Sequence, residues 1–178
     1  LLSMVTIVGA PGERAEEPGH DLTYLAENNL VTGLEMPATL YADMGGSLMT
    51  TEAVLQATLV QRLKGKSSLI EVALSNAAAY LALPRTWGLT QPGAAVGGGH
   101  AGYRIYPCKD GRVAVAALEP HFAKALCAVA GIQLKRFSDL MAPATHNALA
   151  NFLSGQTRDS LNQLAQAHDI PLYTLHNS

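Results

Sequence analysis

The stretch Leu69-Ile70-Glu71-Val72-Ala73-Leu74, followed at once by Ser75 and the alanine-rich run Asn76-Ala77-Ala78-Ala79-Tyr80-Leu81-Ala82-Leu83, decides the fold. Ile70 and Val72 are β-branched and favour extended backbone, so 69–74 reads as a strand. Ser75 is of the type that caps helices, and the spacing behind it predicts a helix over 76–83. Upstream, residues 3–9 alternate weakly and end at Gly9, which reads as another strand. Between them Leu48, Leu55, Leu59 and Leu63 mark one face of a helix over 47–63, stopped by Lys64-Gly65-Lys66. Strands alternating with helices imply an α/β layer.

Downstream the character changes. Pro84, Pro92 and Gly97-Gly98-Gly99 can neither continue a helix nor hold one backbone shape cheaply, so 84–102 reads as a linker. Beyond it, Tyr103–Cys108 and Arg112–Leu118 flank Asp110-Gly111, a hairpin signal because both residues tolerate positive φ. Pro120 suits the first turn of a helix with Phe122, Leu126, Val129 and Ala130 on one stripe, ended by Gly131. Two more helices fit 147–153 and 158–168, the second with Thr157 as cap, and 170–175 looks extended. The expected fold class is α/β: a partial large α/β layer over 1–83, joined by the Gly/Pro linker to a small α+β domain over 103–178 with a β-hairpin and helices.

Composition limits the function classes. With 178 residues, 48% hydrophobic and 15% charged, the chain can bury a core, which argues against disorder. Net charge is -2 with Lys and Arg scattered singly, so the basic face of a nucleic-acid binder is missing. No apolar run reaches the roughly 20 residues of a membrane span, and Leu1–Val5 lacks the basic region of a signal peptide, so a cytoplasmic setting is expected. Cys108 and Cys127 have no paired-ligand spacing and read as small buried thiols in a reducing compartment. His100, His121, His146, His168 and His176 never stand as H-x-x-x-H, so no metal site is expected. Val5–Gly12 has the look of a strand entering a dinucleotide loop, but the third glycine is missing and Pro18-Gly19 would break the phosphate-binding helix.

Two stretches carry chemistry: Gly19-His20-Asp21-Leu22-Thr23-Tyr24 and Ala42-Asp43-Met44-Gly45-Gly46-Ser47. Leu22, Leu25, Ala26 and Leu30 fall at helical spacing, which places His20 and Asp21 at a loop-to-helix junction. Asp43 leads into a glycine pair expected to open the next helix. Removing a proton from the carbon beside a thioester needs a base, and inversion needs an acid on the opposite face. His20 and Asp43 can fill those roles, and free N–H groups at the helix start can stabilise an enolate oxygen. The same residues also suit plain capping and turn chemistry, so spacing alone leaves both readings open.

Pro18–Tyr24, Leu40–Ser47, and Gly102–Tyr106 through Asp110-Gly111 to Ala117-Leu118-Glu119-Pro120-His121-Phe122 resemble the family III CoA-transferase superfamily, nearest its α-methylacyl-CoA racemase branch. The resemblance runs from about Thr6 to Tyr173. It implies that His20 and Asp43 are the acid/base pair, that Glu119 is an acidic residue approaching from the small domain, and that Asp21 and Tyr24 contact coenzyme A. It implies an acyl-CoA substrate, coenzyme A only as part of that substrate, no permanently bound cofactor, and a homodimer. In the transferase branch the residue matching Asp43 instead attacks the thioester and forms a covalent anhydride. His20 favours the racemase; Gly97-Gly98-Gly99 is similar to the mobile glycine loop of the transferases. Family members run to roughly twice this length, so a middle-to-C-terminal portion, and even a non-catalytic fragment, is also an expectation.

Overall fold

In the computed structural model, which describes residues 2–177, strand β1 (Met4–Val8) pairs in parallel with β2 (Leu69–Ala73), in register from Met4 opposite Leu69 to Val8 opposite Ala73. Parallel neighbours need a long crossover, supplied here by α1 (Asp21–Glu27) and α2 (Tyr41–Lys64). The chain then enters α3 (Leu74–Leu81) and the short α4 (Leu83–Thr86). These elements form the first of two units, Leu1–Thr86; the second is Trp87–Ser178.

Three expectations are corrected in the first unit. Ser75 does not cap α3: the helix begins at Leu74 behind Ala73, and the Ser75 N–H donates to the Gly9 carbonyl at 2.9 Å, carrying the strand contact one step further. Helix α2 begins at Tyr41, six residues earlier than expected, because the carboxylate of Asp21 satisfies its first orphan N–H groups. Its buried residues are Ala42, Gly46, Ala53 and Ala57, while Leu48, Leu55, Leu59 and Leu63 are exposed. The small-residue face lets α2 lie close to the alanine-rich α3. A Cβ on Gly45 would stand 3.2 Å from the Cβ of Ala77, and one on Gly46 would run into Leu74. The glycine pair therefore serves helix packing, one turn inside α2, rather than opening the helix toward a ligand.

The second unit is built on an antiparallel sheet of order β3-β4-β5, comprising Tyr103–Cys108, Gly111–Ala116 and Leu172–Leu175. The hairpin turn is Lys109-Asp110, and neither Asp110 nor Gly111 has positive φ. Gly111 is the first residue of β4, where a Cβ would strike the carbonyl oxygen of Leu175 on the neighbouring strand. Close strand approach, not turn geometry, is what asks for glycine there.

Helices α5 (Pro120–Val129), α6 (Pro143–Ser154) and α7 (Arg158–His168) complete the unit. Pro120 sits in the first turn of α5, and the Thr157 hydroxyl accepts the Ser160 N–H at 3.2 Å to cap α7. The core joins Tyr106, Val113 and Val115 of the sheet to Leu126, Leu149, Leu153 and Leu161 of the three helices. Among the described residues no helix is long and apolar enough to cross a membrane.

Candidate active site

His20 is the N-cap of α1, with extended backbone at φ -141° and ψ 171°. Its backbone is fastened twice by Thr23: the His20 N–H donates to the Thr23 hydroxyl at 3.0 Å, and that hydroxyl donates to the His20 carbonyl at 2.7 Å. The imidazole is left exposed. Behind it, the ring of Tyr24 is buried and fills the space that side chains on Gly9 and Gly19 would occupy. Tyr24 thus clamps the loop before His20 onto the end of β1.

Asp21, the next residue, is only 5% exposed. Its Oδ1 accepts the backbone N–H of Ala42 at 2.6 Å and of Asp43 at 3.1 Å. A carboxylate accepting two helix N-terminal amides is a strong cap, because it meets orphan donors with a charge of the favourable sign. Here the cap comes from another helix. The start of α1 is thereby stitched to the start of α2, and Asp43, third residue of α2 and half-buried, is carried beside the segment that bears His20. Tyr24, Leu25, Ala42 and Ala78 form the small core beneath this junction.

Glu119 lies in the second unit as the exposed N-cap residue of α5, with extended backbone at φ -68° and ψ 144°. The structure so brings together His20, Asp21, Tyr24 and Asp43 within one unit and carries Glu119 on the other. The part sequence reasoning missed is the helix-stitching role of Asp21. Capping signals are read over three or four residues, and the partners of Asp21 are 21 and 22 residues away. Among the described residues, no group of three or more His, Cys, Asp and Glu side chains is arranged to hold a metal ion.

The second unit carries its own polar cluster at the glycine run. His146 on α6 hydrogen-bonds the Gly99 carbonyl through Nε2 at 2.8 Å, which fixes the proton on that nitrogen because a carbonyl can only accept. Nδ1 of the same ring faces Arg104 Nη1 at 3.4 Å, and that Nη1 also donates to the Gly98 carbonyl at 3.4 Å. Neighbouring His100 is buried, its Nδ1 accepting the Gly102 N–H at 3.1 Å, and burial, aided by the nearby His146, holds its pKa below the ordinary imidazole value. The glycines read as a linker are thus tied down within the second unit.

Solved structures share the mixed α/β arrangement over nearly the whole chain. A hypothetical protein (Rv3272) from Mycobacterium tuberculosis superposes with a TM-score of 0.80 at 21% identity, covering 99% of this chain and 53% of its own. A mutant of the same protein gives 0.76 at 23% identity, covering 97% and 50%. A CAIB/BAIF family protein from Brucella suis gives 0.71 at 20% identity, covering 99% and 53%. At such identities the likeness establishes fold, and the chain spans about half the length of these structures. The family model for CoA-transferase family III matches residues 2–177, and the chain belongs to that family.

Proposed function

We propose that this chain carries the acid/base pair of an enzyme that inverts the α-carbon of 2-methylacyl-CoA thioesters. The observation that supports it is the Asp21 stitch, which sets His20 and Asp43 at the adjoining N-termini of two helices. One of the two side chains takes the α-proton, and the C–H electron pair moves into the thioester as an enolate. The other returns a proton to the opposite face, so the pair ends with its protonation states exchanged. Helix N-terminal amides not used by Asp21 would stabilise the enolate oxygen. Glu119, which the family resemblance offers as a further acid, is carried on the second unit. Asp21 and Tyr24, expected to contact coenzyme A, have a buried carboxylate and a buried ring engaged inside the first unit, so their side chains enter this reading as positioning groups. The family resemblance adds homodimerisation, checked by the mass in solution.

The test is solvent deuterium incorporation at the α-carbon of a 2-methylacyl-CoA, followed by mass spectrometry. Incorporation that disappears in both His20→Ala and Asp43→Asn supports the reading. Coenzyme A binding without any incorporation overturns it.

One observation favours a second reading: the family matched is named for CoA transfer. In that chemistry the Asp43 carboxylate attacks the thioester carbonyl, the C–S bond breaks, CoA leaves as thiolate and an aspartyl anhydride remains. Hydroxylamine trapping at Asp43 separates it from racemisation. Failure to bind coenzyme A at all would leave a folded, non-catalytic piece of the family.

A further inference from the structure

The backbone of His20 is held from both sides by one side chain. Its carbonyl accepts three bonds from α1: the Thr23 N–H at 2.9 Å, the Tyr24 N–H at 3.2 Å and, shortest, the Thr23 hydroxyl at 2.7 Å. The His20 N–H donates to that same hydroxyl at 3.0 Å. A hydroxyl has one proton to give and lone pairs to receive with, so both bonds form at once. The Thr23 oxygen thus spans the two peptide groups of His20, with φ at -141° and ψ at 171°. Side-chain rotamers follow from φ and ψ, so the range open to the imidazole is set by the same pair of bonds.

Stability gains little from this arrangement. Thr23 and His20 are exposed, so water takes over either bond once the hydroxyl is gone. Reaction geometry is far less forgiving, because a displacement of about 1 Å at a reacting group costs on the order of a hundredfold in rate. A bond pair that is weak as a cap and strict about position suits the placing of a proton carrier.

We infer that Thr23 is a positioning residue for the proton transfer, its hydroxyl fixing the backbone of His20 while the Asp21 carboxylate fixes that of Asp43. This role rests on the proton-transfer reading above and names the residue that holds its imidazole in place.

The test runs the full chain, Thr23→Val, Thr23→Ser and Thr157→Val through the solvent deuterium assay, with hydrogen exchange at the His20 N–H read by NMR. Thr23→Val keeps the side-chain shape and removes the hydroxyl. Its kcat should fall about tenfold or more with KM within about twofold of wild type, and its His20 N–H should exchange faster. Thr23→Ser restores the hydroxyl and should recover most of kcat. Thr157→Val removes a capping hydroxyl of the same kind from α7 and should leave kcat unchanged. Where Thr23→Val does not fold, Thr23→Ala takes its place. Unchanged kcat or unchanged His20 exchange in Thr23→Val, an equal fall in Thr157→Val, or Thr23→Ser no better than Thr23→Val would each overturn the role of Thr23 and leave the proton-transfer reading standing. Absence of α-proton exchange in the wild-type chain removes that reading and the role of Thr23 with it.

Discussion

Asp21 Oδ1 accepts the backbone N–H of Asp43 at 3.1 Å, so a residue of one helix caps the helix that carries the candidate catalytic carboxylate. The same oxygen holds Ala42 at 2.6 Å. His20 precedes Asp21 in the chain, and the relative placement of the two candidate residues therefore depends on a third, buried one.

Replacing that carboxylate tests the dependence. Asp21→Ala removes the partner of two N-terminal amides in a buried setting and should cost about 1–3 kcal/mol of stability. Asp21→Asn keeps an accepting oxygen and should cost less. Denaturant titration measures the loss, and hydrogen exchange at Ala42 and Asp43 should accelerate ahead of the second unit. If the α-exchange reaction is present, Asp21→Asn should lower kcat more than it changes KM, because it misplaces the pair without touching substrate.

Two glycines give opposite expectations for one substitution. In Gly111→Ala the new methyl meets the Leu175 carbonyl, part of a paired strand that cannot step aside, and about 1–3 kcal/mol should be lost. In Gly46→Ala it meets the tip of the Leu74 side chain, which can rotate, and the helix gains up to about 1 kcal/mol of propensity. Thermal melts of the two variants should show a clear drop for Gly111→Ala and little change for Gly46→Ala.

Acid should loosen the second unit. Burial, with His146 nearby, holds His100 below the ordinary imidazole value, so the unfolded chain takes up that proton first and stability falls as pH drops below the ordinary value toward the lowered one. Asp110, held down chiefly by the Arg158 backbone N–H, and Asp139, held down chiefly by that of Arg136, add losses in the same direction below the ordinary carboxylate range. Hydrogen exchange read against pH should show the second unit weakening through both windows, and His100→Phe should flatten the first.

Base should act through Tyr106. Its hydroxyl donates to the Ala101 carbonyl at 2.8 Å, and burial pushes its pKa from 10.0 up to about 12. A folded pKa above the unfolded one means the contribution is complete below pH 10.0 and is lost as pH rises toward 12. Tyr106→Phe should cost about 0.5–1.5 kcal/mol near neutrality and be less sensitive to alkali, measured by denaturant titration at several pH values.

Local signals determined much of this protein. Ile70 and Val72 in a strand, Pro120 in the first turn of a helix, Thr157 as a cap and His20 at a loop-to-helix junction all follow from backbone preferences acting over a few residues. The sequence also carried the resemblance that the family match bears out. Tertiary structure alone decided which face of α2 is buried, since leucines give the stronger apolar signal but only alanine and glycine allow α2 and α3 to approach. It decided that Gly111 answers to a strand rather than a turn, and that the glycine run is pinned by His146 from 47 residues away. Above all it decided the role of Asp21, because a hydrogen bond between residues 21 and 43 is a property of two helix ends meeting in space, and no local pattern along the chain encodes that meeting.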